Sequence, residues 1–495
     1  MNASIRTAFL GVKAFSLALL TLHGCAAVGP DYREPAIQTP DAWTEKVVQQ
    51  LSEAPQSSLQ SWWTVFDDPL LNELIDRCRM ENLDLKVAVS RVRESRAVLA
   101  IARGEKLPLA NAGASASVTK LSDDGVLKQV APADGFSSHG LVQLGVDAVW
   151  EIDVFGRVRR TIEAAGAGYE ASIEDYRDVL VTLYAEVALA YVDIREMQQR
   201  IAYAGANAEL QSESLALAND RFNNGVSSRL DVVQAESNLE ATLATIPSLQ
   251  KALNQALNRL AVLLGQDAGS LQAQFIAPGP LPAPTEAIGI GVPANVLRQR
   301  PDIRRAERLL AAQNAEVGVA TADLYPRFGL SGFFGFQSRS LSNLLDSSSL
   351  TYGLSAPVQW NIFSGGRVRG NIEVQNEKTQ QRLLQYENKV LKAIEEVENS
   401  IMAFNLDRSR REHLQTAATA IKEADELVLV QYNIGLTDFN NVLVTQENLF
   451  AIQDQLVAAQ AQIVVDLIAL YKALGGGWDL DQPVDQDASA NSINR

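Results

Sequence analysis

The chain has 495 residues, of which 47% are apolar and 21% are charged, so it can bury a sizeable core and its bulk is not disordered. Asp and Glu number 59 against 43 Lys and Arg, and this net charge of −16 argues against nucleic acid or an anionic membrane face as a partner. Three histidines and two cysteines leave no material for a His-rich metal site or a cysteine framework. We therefore expect no catalytic residues, no metal and no cofactor.

Residues 1–24 predict a lipoprotein signal peptide. A basic start precedes an apolar run far shorter than the ~20 residues that a spanning helix needs. The run ends in Leu22-His23-Gly24-Cys25, which resembles the bacterial lipobox, a signal whose cysteine becomes the first mature residue and carries the lipid. We therefore expect palmitate at Cys25, and the Ala26 that follows is compatible with the outer membrane. The alternative is an ordinary signal peptide that happens to end near a cysteine.

The mature chain carries one unit twice, within residues 81–265 and 296–475. Matching residues are 210 positions apart over most of the two copies, and 218 positions apart near the start of each. The matches include Trp150 with Trp360, Gly156 with Gly366, Gly225 with Gly435, Gly265 with Gly475 and Pro108 with Pro326. Around the copies we expect an N-terminal extended and equatorial segment in 25–80, an equatorial linker in 266–295 and a tail in 476–495.

Each copy is predicted to open with a helix and to continue as two strands. The opening helix falls near 82–106 in the first copy and begins at Pro301 in the second. Apolar and small polar residues then alternate in about 109–119, 141–153, 327–337 and 351–362. This period of two indicates strands with one apolar face, and their length is close to the ~9–11 residues of a tilted membrane strand. The alternative is a soluble antiparallel sheet that packs on the helices.

Two very long helices follow the strands. Residues 157–221 and 367–431 contain no proline, and each would measure roughly 100 Å at ~1.5 Å per residue. Each ends at a turn with glycine, so we expect helical hairpin tips at about 222–230 and 432–440. A returning helix near 229–264 has the leucine spacing of a coiled coil.

Four strands cannot close a membrane barrel, because such barrels begin at about 8 strands. An open sheet edge cannot face lipid, since its backbone groups would be unsatisfied. Several chains must therefore share one barrel. Two chains would supply eight strands and three would supply twelve. Only three would leave an open bore, because side chains fill the interior of an eight-stranded barrel.

Motifs along nearly the whole mature chain resemble those of the TolC-like outer membrane efflux factors, specifically the NodT-type outer membrane lipoproteins. The motifs are Gly29-Pro30-Asp31-Tyr32, Trp62-Trp63, Phe66-Asp67-Asp68-Pro69-Leu70, Arg300-Pro301-Asp302-Ile303, Trp360-Asn361-Ile362-Phe363, and Tyr471-Lys472-Ala473-Leu474 with Gly475-Gly476-Gly477-Trp478. The resemblance implies a mixed fold of membrane β-barrel plus all-α barrel, made of two tandem repeats of helix, β-hairpin, long helix and helix.

The same resemblance implies a homotrimer in the outer membrane, with a 12-stranded barrel, a coiled-coil periplasmic tunnel and an equatorial collar. Its function would be passive export of drugs, toxic compounds or metals in a tripartite system. The partners would be outer membrane lipid, a periplasmic adaptor at the helical tips and an inner-membrane pump of the resistance-nodulation-division type.

The resemblance also implies roles for residues at the two tips. The turns that contact the adaptor correspond to Gly225, Arg229, Gly435, Leu436 and Thr437. Candidates for polar contacts in a periplasmic gate are Asp231, Asp438, Asn440, Asn441 and Glu447. The sequence departs from the family pattern here, because Asn441 and Val444 occupy positions where gate aspartates often stand. The alternative is that all these side chains are solvated residues at a helix start.

Two other functions remain as alternatives. An enzyme is disfavoured because the sequence has no phosphate-binding glycine loop and no nucleophile elbow. A periplasmic coiled-coil adaptor or scaffold lipoprotein without a pore would explain the helices. It would not explain four membrane-length strands arranged as two hairpins.

Overall fold

A computed structural model describes residues 27–36, 40, 43–44, 57–120, 122, 139–283 and 298–479. The predicted signal peptide, the predicted lipid site at Cys25 and most of the loop between the first two strands lie outside the described residues. The chain forms two compact units, and parts of both repeats contribute to each. The first unit consists of the described residues within 1–35, 93–171 and 307–385, and the second of those within 36–92, 172–306 and 386–495.

The helices and strands follow the sequence periodicity closely. The helices are α1 Ser57–Gln60, α2 Pro69–Glu81, α3 Leu83–Gly104, α4 Arg157–Asn223, α5 Arg229–Leu263, α6 Pro301–Ala322, α7 Arg367–Asn433 and α8 Phe439–Ala473. The strands are β1 Leu109–Thr119, β2 His139–Ile152, β3 Arg327–Ser338, β4 Leu350–Ser355 and β5 Val358–Gln359. Short 3₁₀ turns lie at Trp62–Phe66, Leu341–Asn343 and Ser347–Ser349. The boundaries of the repeats and of the linker stay predictions.

One predicted strand is wrong in its length. The segment 351–362 was expected to be continuous, but it forms β4 and then the two-residue β5. Pro357 stands between them, and a proline has no backbone N–H to offer to a sheet ladder. Its carbonyl is still used, because the backbone N–H of Gly329 donates to it at 2.9 Å. The break leaves Trp360 and Ile362 beyond the sheet.

The strands form one antiparallel sheet in the order β1-β2-β3-β4, with β5 also paired to β3. The pairing of β2 with β3 joins the hairpins of the two repeats, which the sequence alone did not specify. The register places apolar residues opposite apolar residues, as in Leu144 with Phe336 and Val146 with Phe334. Polar residues meet on the other face, where the amide of Asn111 donates to Asp147 at 3.1 Å.

The core of the second unit centres on aromatic residues before α2. Trp62 is fully buried and stacks on Tyr471 of α8, with ring centroids 5.3 Å apart. Trp63 packs edge-on against Trp62, and against Tyr184 of α4. Cys78 is a free, fully buried thiol that donates to the carbonyl of Leu263, and burial raises its pKa to about 12. Its surroundings are those of a core side chain.

A charge cluster around the buried Arg300 and Asp302 lies at the start of α6. Arg300 bonds Asp302 through two nitrogens at 3.0 and 2.8 Å and donates to the carbonyl of Ala473 at 2.8 Å. Glu396 lies 2.7 Å from Arg300, and Lys389 lies 3.1 Å from Asp302. Burial raises the pKa of Asp302, but the Arg300 guanidinium and Lys389 outweigh it and hold that pKa below its usual range. The Arg300-Pro301-Asp302 motif therefore ties the start of the second repeat to its end.

Candidate functional site

The sheet presents one apolar face to its surroundings. Large apolar residues on that face include Val118, Phe334, Tyr352 and Leu354, and more than half of each residue's surface is exposed. The opposite face carries amides, carboxylates and hydroxyls, and Ser331 and Ser355 share a hydrogen bond there at 2.7 Å. An apolar outer face with a polar inner face is the pattern of a strand set that separates lipid from water.

Two tryptophans mark the end of the sheet nearest the helices. The indole nitrogen of Trp150 donates to the carbonyl of Lys106 at 3.0 Å, and that of Trp360 donates to the carbonyl of Leu324 at 3.0 Å. Each carbonyl lies just after the opening helix of its own repeat, so the two copies use one arrangement. Half-exposed tryptophans with a satisfied N–H suit a membrane–water boundary.

The sheet has open edges in the part of the chain that the structure describes. β1 and β4 are its outer strands, and each pairs on one side. An unpaired strand edge offers a row of free N–H and C=O groups. In lipid such a row must find a partner, so the geometry fits only a sheet completed by further strands.

The two helical tips are built alike. Gly225 and Gly435 have φ values of +73° and +77° and end the long helices in the left-handed conformation that glycine adopts readily. In each tip the glycine N–H donates to the residue three before it, and the next N–H reaches back five residues. This is the Schellman arrangement, so the structure ends both helices at the predicted glycines. The side chains of Val226 and Leu436, directly after them, are exposed.

The first residues of the returning helices differ between the two tips. Ser228 caps α5, because its hydroxyl oxygen accepts from the backbone N–H of Asp231. The Asp231 carboxylate accepts from the backbone N–H of Ser228, which completes a capping box. Arg229 lies over the ring of Phe222, 5.9 Å from its centroid. Asp231 is thus engaged at the helix start in this single chain, and no contact of it with the second tip is among the described hydrogen bonds.

At the second tip Asp438 occupies the cap position of α8 without a side-chain cap bond. The amide of Asn441 donates to the hydroxyl of Thr437 at 2.8 Å. The predicted gate residues of α8 are exposed, and Asn440, Val444 and Glu447 share one helix face by their spacing. Asn440 and Glu447 therefore lie on one exposed surface with Val444, and their role in a gate stays a prediction.

Sequence reasoning missed the link between the two tips. Arg221 donates to the carbonyls of Tyr432 and Asn433 at 3.1 and 3.2 Å, and its guanidinium lies 4.3 Å from the Tyr432 ring centroid. Beside it a buried cluster joins both tips through Ala218, Val232, Ala235, Tyr432, Phe439, Val442 and Leu443. The sequence did mark position 221 as different between the repeats, because the offset of 210 aligns Arg221 with the uncharged Gln431.

Polar pairs also connect α4 with α8 above the tips. On α4 they stand at positions 200, 207 and 214, which together with Arg221 follow a spacing of seven. The pairs are Arg200 with Asp454 at 2.7 and 2.9 Å, Asn207 with Gln453 at 2.7 Å, and Ser214 with Gln446 at 2.8 Å. They tie the long helix of the first repeat to the returning helix of the second.

Within the described residues no group of three or more His, Cys, Asp or Glu side chains is placed to hold a metal ion. One described helix, α8, is long and apolar enough to cross a membrane by composition alone. However, 61% of its most apolar window is buried, as in the core helix of a soluble region.

Comparison with known proteins identifies relatives along nearly the whole chain. The sequence profile of the outer membrane efflux protein family matches residues 74–266 and 292–476. Nodulation protein T of Rhizobium leguminosarum bv. trifolii is 31% identical over 86% of this chain and 89% of its own length. The toluene efflux pump outer membrane protein TtgI of Pseudomonas putida is 30% identical over 94% and 98%. The solved outer-membrane channel OprN superposes with a TM-score of 0.86 at 36% identity, covering 92% of this chain and all of that one.

Proposed function

The chain belongs to the outer membrane efflux protein family, and on that premise we propose that three copies of it form a passive duct across the outer membrane. It is the outer membrane channel component of a tripartite efflux system, and its partners are a periplasmic adaptor and an inner-membrane pump. The family comprises transporters rather than enzymes. We propose that this chain has no catalytic activity of its own and that the pump supplies the energy.

The proposal of a shared barrel rests on the sheet, which has one apolar face, one polar face and open edges. Its apolar face needs lipid, its polar face needs water, and its outer strands need partners. A closed ring made from the four longer strands of each chain satisfies all three needs. Three chains give twelve strands, wide enough to leave an aqueous bore, whereas eight strands would be filled by side chains. A scaffold lipoprotein without a pore would have no use for this sheet.

The proposed duct is tested by oligomeric state and conductance. We expect heat-modifiable trimers in the outer-membrane fraction and stepwise conductance after reconstitution in planar bilayers. A soluble monomer without conductance would contradict both the barrel and the channel.

We further propose that the duct is closed near its helical tips. Asp438, Asn440, Asn441 and Glu447 would supply polar contacts, because they are exposed at the start of α8. The link from Arg221 to Tyr432 would hold the two tips of each chain together in that closed form. Opening then requires the second tip to separate from the first, which breaks this link.

The adaptor is proposed to bind the outermost turns. Val226, Leu230, Ile434 and Leu436 are exposed apolar side chains there, next to Arg229 and Thr437. Exposed apolar residues grouped at a helix turn are typical of a docking surface. The exported solute is proposed to be selected by the pump. TtgI is named for toluene, and this chain would pass drugs, toxic compounds or metals as its pump dictates.

Lipidation at Cys25 is part of the same proposal. The lipobox supports it, since the cysteine follows Leu22-His23-Gly24 directly. A thioether-linked diacylglycerol and an amide-linked acyl chain would together give stable anchoring, which a single chain does not.

A further inference from the structure

The start of the described chain is bound along the first repeat. Residues 27–32, here called the strap, begin beside the end of β2, where the backbone N–H of Val28 donates to the carbonyl of Phe155 at 3.0 Å. Arg160 of α4 then donates to the carbonyls of Val28 and Gly29 at 3.1 and 3.3 Å, and to the carboxylate of Asp31 at 2.7 Å. Only 4% of the Arg160 side chain is exposed.

The other side of the strap is bound to the second repeat. Gly29, with φ +90°, approaches Gly318 of α6 so closely that a Cβ on Gly29 would lie 2.4 Å from the Gly318 Cα. The amide of Asn314 donates to the carbonyl of Pro30 at 3.1 Å. The hydroxyl of Tyr32 donates to Glu307. The strap therefore contacts both repeats within the first unit.

The contacts of Arg160 indicate a built docking site. Its one other charged partner among the described contacts is Glu163, at 2.7 Å on its own helix. Removal of the strap would take from the Arg160 guanidinium the carbonyls of Val28 and Gly29 and the carboxylate of Asp31, and would leave it with Glu163 and solvent. Gly318 is matched to the same site, because a Cβ there would lie 2.7 to 2.9 Å from the Arg160 side chain. Both glycines are thus required by close packing around one arginine.

We propose that the strap fixes the place where the lipid-bearing end of the mature chain enters the membrane. Ala27 lies against Gly156, just past the end of β2, since a Cβ on Gly156 would be 2.4 Å from the Ala27 Cβ. Cys25 is two residues earlier in the sequence, and two residues span at most ~7 Å. With the strap bound, the lipid would enter the membrane next to the strands of the same chain. This inference rests on the lipidation proposed above.

Two glycine variants test the strap. Gly29→Ala places a side chain at a positive φ and against backbone, and Gly318→Ala drives a methyl group into Arg160. Gly166→Ala in α4 is the matched control, because nothing lies within 4 Å of its added Cβ. Asp31→Asn is a mild variant for which folding is not at risk, since 87% of the Asp31 side chain is exposed.

Three measurements on the full chain separate the possible outcomes. Palmitate incorporation reports on acylation, trypsin cleavage after the exposed Arg33 reports on strap opening, and heat-modifiable trimer reports on assembly. We expect both glycine variants to keep wild-type palmitate, to be cleaved about 10-fold or more faster and to yield less trimer. Asp31→Asn should be cleaved about 2- to 5-fold faster, and Gly166→Ala should match the wild type.

Two results would overturn the strap proposal: wild-type cleavage in both glycine variants, or faster cleavage with undiminished trimer. Loss of palmitate in the glycine variants would also count against it, because the lipobox lies outside the strap. Failure of the lipidation proposal is seen separately, as an unlabelled wild-type protein. Failure of the duct proposal is seen as trimer without conductance.

Discussion

Arg221 and Tyr432 bind one helical tip to the other within a single chain: the guanidinium lies 4.3 Å from the tyrosine ring centroid and donates to the tyrosine carbonyl at 3.1 Å. Arg221 comes from the first repeat and Tyr432 from the second. The contact therefore depends on the position of the second tip relative to the first, and it would be lost if the tips parted.

We predict that Arg221→Ala opens the channel more often. Loss of two charge-assisted hydrogen bonds and a cation–π contact removes about 1–3 kcal/mol from the closed form, which raises the open population roughly 5- to 150-fold. The conductance that remains in the closed state, recorded in planar bilayers, measures this change in the open population. Gln431→Ala is the matched control, because Gln431 is the exposed repeat equivalent of Arg221. Wild-type traces for Arg221→Ala would show that the link does not restrain the gate.

The second prediction concerns the polar surface at the start of α8. Asp438→Ala or Asn441→Ala should change closed-state conductance, because both side chains are exposed there and Asn441 bonds Thr437. Asn441→Asp should make the conductance sensitive to millimolar divalent cations, since three copies would present three carboxylates at the proposed gate. The wild type, with an amide at this position, should lack that sensitivity. Unchanged traces for Asp438→Ala and Asn441→Ala together would place the gate elsewhere.

The third prediction concerns the anchor. Cys25→Ser should abolish incorporation of labelled palmitate, because the hydroxyl cannot replace the thiol as the acceptor of the diacylglyceryl group in a lipobox. Cys78→Ser is the control, since Cys78 is buried and its pKa is raised to about 12, so it should contribute no label. Retained label in Cys25→Ser would show that the acyl site is at another residue.

The local structure follows from the sequence because short-range patterns determine it. Alternation over 109–119 predicts β1 with the same bounds, and the glycine turn near Gly225 predicts the end of α4 within two residues. The break at Pro357 could also have been predicted, since the proline lacks a ladder donor. The predicted strand was too long because the alternation of apolar and polar residues continues past this proline.

The tertiary links could not be predicted in the same way. Arg221 and Tyr432 are 211 residues apart, and their contact depends on how two long helical hairpins face each other. The pairing of β2 with β3 likewise joins separate repeats, and no turn connects those strands to fix their register. The spacing of seven at positions 200, 207, 214 and 221 was visible in the sequence, but it does not name the partners on α8.

The buried carboxyl of Asp466 on α8, which interacts with the partly exposed Asp407 of α7, gives the last prediction. Asp466 is 6% exposed, and among the described residues its Oδ2 has no hydrogen-bond partner. Burial raises its pKa most, the Gln462 amide at 2.8 Å opposes this, and the facing carboxylate of Asp407 raises it further, to about 6. A proton between the two carboxyls would satisfy the unpaired oxygen, whereas two carboxylates repel each other.

The pKa of Asp466 is higher in the folded chain than the ordinary value of 3.8, so folding favours the protonated form. Its contribution to stability is therefore greatest below about pH 4 and is lost as the pH rises to about 6. Asp466→Asn keeps a donor toward Asp407 at every pH. It should stabilise the protein by about 1–2 kcal/mol at pH 7.5 and make little difference near pH 4.

Thermal unfolding of the detergent-solubilised protein across this range measures the effect, with Asp454→Asn as the contrasting variant. Asp454 is ion-paired with Arg200, so its amide should destabilise at pH 7.5. If Asp466→Asn also destabilised at pH 7.5, Asp466 would be ionised and stabilising in the folded chain, and the shared proton would be wrong.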